Sequence, residues 1–393
     1  MTTATPAVPS RTPDMSAFLS LGFRPLYLAG CLWALVSVGI WVFQPTLIRA
    51  PFDGLSWHAH EMLWAFIATI AVGFLLTASA TWTKINPLKG SGLAVAALLW
   101  AVARVGYLAG GNSAFMVGAV AETAFFVLAG VAVLRVVIKA GSRRNYGLPL
   151  MLLGLAGFNV LFLQAVKTGD YNLVIEQFNL GMLCMALIVL LIGRRVVPFF
   201  AMRRTANLTI PMQVRSGHIQ LGLTVLAIAL GLAGLHKAMA VPLALTGLIS
   251  LWQTLRWKPL AILHNPMLWI LYLGYAATGL GLIVAACQLA GLSQGAFTRA
   301  AAHVHIIGMG GFSVLIIGMV TRTSLGHLGR PLALDSSMLV SYYFMIAAVA
   351  FRVAALWPTG YYQSLLHAAA LAWIVSMGLY LWRFVPMLIR PRV

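Results

Sequence analysis

The sequence predicts an all-α, polytopic integral membrane protein of about twelve transmembrane helices, with both termini in the cytoplasm. Three observations predict it. Of the 393 residues, 61% are apolar and only 8% charged, against about a quarter charged in soluble domains. Apolar runs of roughly 18 or more residues, enough to cross a bilayer, recur along the whole chain. Lysine and arginine fall mostly in the gaps between these runs, and they do so asymmetrically.

The runs lie near residues 26–44, 58–81, 91–109, 113–138, 147–166, 173–192, 217–235, 238–255, 266–289, 300–320, 336–357 and 363–382. Turn and breaker residues separate them, among them Asn86-Pro87, Gly110-Gly111-Asn112, Gly141-Ser142, Asn265-Pro266 and Pro358-Thr359-Gly360. No alternating ten-residue barrel pattern is seen, which leaves helices as the structure that satisfies its own backbone in lipid. Of the 26 basic residues, 20 lie on the side that holds both termini and the gaps after even-numbered spans. Only Arg49, Lys167, Lys237 and Arg299 lie opposite, and Arg104 and Arg352 lie inside spans. The positive-inside rule makes the crowded side cytoplasmic, as in a bacterial inner membrane. The formal charge of +19 is therefore not a nucleic-acid signal, because it is spread through loops rather than gathered on one folded face.

Residues 1–15, polar and rich in Thr and Pro, are expected to form a disordered cytoplasmic tail without a cleaved signal peptide. Residues 16–393 then make a single helical transmembrane domain. Cys31, Cys184 and Cys287 stand alone in separate spans and are read as small apolar residues, not disulfides. No internal repeat is found.

Ionisable groups are costly inside a bilayer, so function is sought there. His58-x-His60 opens the second span and His303-x-His305 the tenth, both running inward from the periplasmic face. These four histidines are the candidate metal or haem ligands. Two positions apart on a helix is about 200° of rotation, so a helical pair serves two centres, or one centre and one partner; with the helix not yet formed at His58, both rings would chelate one ion. Glu61, three residues after His58 on the same helical face, is a candidate to orient an imidazole or move a proton. Glu122 in the fourth span is the second acid–base candidate, its alternative being a carboxyl paired with another helix. Arg104 and Arg352 lie near the outer ends of their helices, where they either snorkel to headgroups or hold the propionates of a haem. His236 and His367 are read as histidines bonded to neighbouring helices, and Glu176 as a boundary carboxylate.

The sequence resembles the NnrS family of bacterial membrane proteins. The resemblance rests on Leu21-Gly22-Phe23-Arg24-Pro25, Trp57 to Met62, Gly73 to Ala78 and Arg104, and on the run from Gly193 to Phe200. Ala302-His303, Pro386-Met387-Leu388 and the stretch Met319 to Pro331 complete it, the last being the most specific. It implies haem, copper and a connection with nitric oxide and denitrification, without assigning ligands. His327, inside the Met319–Pro331 stretch, joins the cofactor-binding candidates. His305 stands where the family is usually apolar, and Tyr272 where a family histidine is expected. Two functions fit the resemblance: an oxidoreductase acting on nitric oxide with an electron donor, or a non-catalytic haem or copper carrier that protects against nitrosative stress. A solute transporter fits less well, since no pair of discontinuous helices is visible.

Overall fold

The structure is a computed structural model that describes residues 12–392. Twelve helices among them are long and apolar enough to cross a membrane. They are α1 Phe23–Phe43, α2 Gly54–Thr83, α3 Ser91–Ala109, α4 Asn112–Lys139, α5 Arg143–Thr168, α6 Tyr171–Arg204, α7 Val214–Leu232, α8 His236–Arg256, α9 Pro266–Leu289, α10 Ala301–His327, α11 Ser336–Ala354 and α12 Tyr362–Leu388. No strand occurs among the described residues. An even number of crossings puts both termini at one end of the bundle. We call the other end distal; α2 and α10 begin there.

The helix boundaries have local causes. All four aspartates of the chain are N-caps: Asp53 forms a capping box with Ser56, and Asp170 accepts from Leu173 N at 3.1 Å. Asp335 accepts from Met338 N at 3.0 Å, and Asp14 from Ser16 N at 2.8 Å. Gly110 and Gly111 join α3 to α4 at φ of 74° and 79°, a backbone that L side chains avoid. Pro266 opens α9 in the first turn, where its missing N–H costs nothing.

Several boundaries differ from the sequence expectation. The segment Arg194 to Arg215, expected as a loop, is helical through Arg204, so Arg194, Arg195, Arg203 and Arg204 ride on a polar extension of α6. Hydropathy ends a span where the apolar run ends, but the backbone bonding continues past it. Likewise α10 carries the Met319–Pro331 stretch as helix as far as His327. His236 opens α8 rather than closing α7. Of the expected tail, residues 1–11 lie outside the described residues. Asp14 and Met15 are structured, with Asp14 N donating to Ile389 O at 2.8 Å beside the C-terminal end of α12.

The most buried spans are α2, α6 and α10, and α1 lies between α2 and α12. Small residues let α9 and α10 approach closely: a Cβ on Gly274 would lie 2.8 Å from the Leu315 backbone nitrogen and 2.9 Å from Gly311 O. Two further features set the site. Each His-x-His pair is followed at once by eight residues of π-helix, Glu61–Ala68 in α2 and Ile306–Ser313 in α10. The two π segments meet across the bundle. Such wide turns are rare and cluster at functional sites.

Candidate functional site

A cavity of ≈ 290 Å³ opens at the distal end between α1, α2, α6, α10, α11 and α12. Its walls are almost wholly apolar, with Phe66, Ile67, Phe178, Phe312 and Trp373 among them. Besides His303 and the phenol of Tyr171, three ionisable groups reach it: His58, His305 and Arg352. The His58 and His305 rings lie 6.5 Å apart between centroids and within 20° of parallel. Trp41 of α1 stacks on His58 at 4.0 Å and 13°, fixing its plane, and His58 Nδ1 has no hydrogen-bond partner.

His305 is held differently. Its Nδ1 lies 2.7 Å from Ala301 O, an acceptor only, so Nδ1 carries the proton and Nε2 the lone pair. That lone pair accepts from Arg352 Nε at 3.1 Å. Metal-bound histidines are characteristically fixed in this way, by a carbonyl on the far nitrogen. Arg352 has no carboxylate partner, and its Nη1 is buried without an acceptor. Such a cation awaits an anion.

The second group is a closed charge cluster drawn from five helices. Arg104 of α3 gives Nη1 to Glu61 Oε2 at 2.5 Å and Nη2 to Glu122 Oε1. Trp33 Nε1 of α1 also donates to Glu61 Oε2. His60 Nδ1 lies 2.8 Å from Glu61 Oε1, and its Nε2 lies 2.9 Å from Glu122 Oε2 and 3.0 Å from Asn159 Oδ1. Tyr107 OH and Asn159 Nδ2 donate to Glu122 Oε2 at 3.1 and 2.9 Å. Every carboxylate oxygen is used. Two carboxylates, one guanidinium and an imidazole facing carboxylates on both sides balance when His60 carries two protons. His60, Glu61 and Glu122 are fully buried. A set of charges this dry persists only when its members satisfy one another.

The expected site residues thus fall into separate places. His58 and His60 serve one cavity and one partner cluster, as the rotation between them implied. Glu61, expected on the face of His58, bonds His60 instead. The backbone is still α-helical there, Glu61 N–H bonding Trp57 O and His58 O, and the Glu61 carboxylate also meets Arg104 and Trp33 on that side. Neither Glu61 nor Glu122 lines the cavity. Arg352 lines it, whereas both Nη atoms of Arg104 go to carboxylates. His327 closes α10, about 33 Å along the helix from His305 at 1.5 Å per residue, and packs on Phe23. It shares no site with the other candidates. His236 meets Glu176 at 3.9 Å, and His367 bonds Gln363 at 2.8 Å.

His303 borders both this cavity and a second one of ≈ 440 Å³ between α6, α8, α9 and α10. Its Nδ1 faces Gln288 Oε1 at 2.5 Å and its Nε2 faces the Asn179 side chain at 3.0 Å. Sequence reasoning missed Trp41, Asn159, Asn179 and Gln288. Intramembrane Asn and Gln were the available signal, since uncharged amides are also costly in lipid.

The donor set suits a metal that brings its own equatorial ligands. A metal–imidazole bond of about 2 Å on each side, plus the ring radii, would put the centroids of two imidazoles about 6 Å apart if their nitrogens faced one metal; the two near-parallel rings are 6.5 Å apart. The orphaned Arg352 Nη1 suits a carboxylate on that ligand. Among the described residues no group of three or more His, Cys, Asp or Glu is placed to hold a bare metal ion.

A protein-family model described as NnrS protein matches residues 17–392. None of the curated proteins compared matches the chain.

Proposed function

The chain belongs to the NnrS family, and on that premise we propose that it is a haem protein of the bacterial inner membrane acting in nitric oxide metabolism or protection against nitrosative stress. The observation that carries the reading is the near-parallel His58–His305 pair in an apolar cavity. Haem bound between them would supply an iron that exchanges electrons. The chain's own residues do the rest. Ala301 O sets the His305 tautomer, Trp41 sets the His58 plane, and Arg352 supplies the positive charge for a propionate. The apolar walls keep water out and match a substrate that partitions into lipid. Glu61 and Glu122 act as positioning residues in this reading, holding the start of α2 so that His58 faces the cavity.

Haem content and optical spectra of the purified protein test this. Wild-type protein should carry haem with a low-spin, two-imidazole spectrum. His58→Ala and His305→Ala should each lose most of the haem or turn it high-spin. Full haem with unchanged spectra in both variants rules out the pair as ligands. The rival reading, a non-catalytic haem or copper carrier, is favoured by one observation: no carboxylate lines the cavity to supply protons. Consumption of nitric oxide by reduced protein separates it from an enzyme.

The distal end is periplasmic in this proposal, from the 20-to-4 bias of basic residues. A cysteine at Asn207, in the α6–α7 connection, should react with an impermeant thiol reagent only after the cells are opened. Labelling in intact spheroplasts reverses the orientation.

A further inference from the structure

The distal cavity gives no part to the Met319–Pro331 stretch at the other end of α10. Within that stretch stands a third arginine inside a span, Arg322, only 7% exposed. Among the described residues it forms no hydrogen bond or ion pair, and its guanidinium covers the face of Phe200 on α6, with Cζ 4.0 Å from the ring centroid. A ring face takes up part of the charge but offers no lone pair to the five N–H groups. The two carboxylates at this end of the bundle are taken, Asp14 by Ser16 and Asp335 by Ser337, Met338 N and Arg383. What stands near instead is a second cation, Arg204, exposed and four residues after Phe200 on the same face of α6. Two like charges at close quarters, one of them dry, call for an anion between them.

A narrow apolar cavity of ≈ 90 Å³ runs between α1, α2, α6 and α10 and ends beneath this pair. Val196 and Val197 line it one turn before Phe200, and Met319 lines it one turn before Arg322. The hydroxyl of Tyr27 is the one polar side-chain group on its wall. Water needs several polar partners to settle in a cavity, so this slot suits hydrocarbon.

We infer that this end of the bundle binds one anionic phospholipid of the adjoining leaflet, its phosphate between Arg322 and Arg204 and one acyl chain entering the slot. A guanidinium gives a phosphate two parallel hydrogen bonds as well as charge, which supplies Arg322 with the acceptors it lacks. A free phosphate would do as much for the arginines but would leave the slot unfilled. Amphiphilic chemistry answers both halves of the site at once. None of Arg322, Arg204, Val196, Val197 and Met319 lines the distal cavity, so the site stands apart from the haem reading.

Native mass spectrometry of the purified full chain, titrated with phosphatidylglycerol, with phosphatidylcholine of the same acyl chains and with inorganic phosphate, tests this. One phosphatidylglycerol per chain should survive detergent exchange, and neither of the other two should displace it at equal concentration. Arg322→Gln should weaken its binding by roughly tenfold or more, the worth of a lost charge-assisted pair, and Arg322→Lys should fall between the two. Arg204→Gln, at an exposed position, should weaken it less while leaving the melting midpoint of lipid-free protein unchanged, and it keeps the test open if Arg322→Gln does not fold. Met319→Trp, which fills the slot and spares the arginines, should weaken phosphatidylglycerol and leave inorganic phosphate unaffected. The inference is overturned if phosphatidylcholine binds equally well, or if inorganic phosphate displaces the lipid. Wild-type affinity in Arg204→Gln or in Met319→Trp overturns it as well.

Discussion

Glu122→Gln should destabilise the protein by about 3–5 kcal/mol, the usual result of removing one partner from a buried ion pair. Glu122 holds Arg104, His60, Tyr107 and Asn159 at once, across α2, α3, α4 and α5. Glutamine keeps the shape but leaves an uncompensated positive charge and turns one acceptor into a donor facing donors. Arg104→Gln should do comparable harm, because Glu61 and Glu122 would then face each other with only His60 between them. The double variant should lose less than the sum of the two, since one charge of each sign is removed together. Thermal unfolding of the detergent-purified variants reads this directly. The alternative, that Glu122 carries protons in turnover, predicts a stable Glu122→Gln protein with an altered pH profile. A melting midpoint equal to wild type would put the cluster in that second category.

Arg352→Gln should have the opposite pattern. Arg352 has no carboxylate partner, so the haem-free protein should not lose stability and gains some from shedding an unpaired buried charge. Haem retention should suffer. One charge-assisted hydrogen bond is worth about 1.5–3 kcal/mol, which is a loss of affinity of roughly tenfold or more. The reduction potential of the haem that remains should fall, because positive charge near the iron favours the reduced form. Arg352→Lys should recover part of both effects, as an ammonium keeps the charge without the fork. Haem-transfer rates to an apo-globin acceptor and a redox titration measure them. If Arg352 serves lipid headgroups instead, glutamine changes neither and lysine is silent.

Twelve spans, their order and the depth of the ionisable groups were legible in the sequence because each depends on local composition. An apolar run long enough to cross a bilayer must close its own hydrogen bonds, and that makes it a helix wherever it lies. The two His-x-His pairs and both arginines were visible for the same reason, as costly groups standing in otherwise apolar runs. Whom each group meets was not legible. Arg104 and Arg352 look alike in sequence, each near the outer end of its helix, yet one is paired twice and the other has no anion. The difference lies in which helices pack beside them. The π segments after His60 and His305 were equally hidden, since composition sets that a stretch is helical but not whether its bonds close at four residues or five. The two segments meet where α2 and α10 cross, a contact between residues far apart in the chain. Span, depth and chemical type were determined locally by the sequence; partner and cavity were decided by tertiary contacts between residues far apart in the chain.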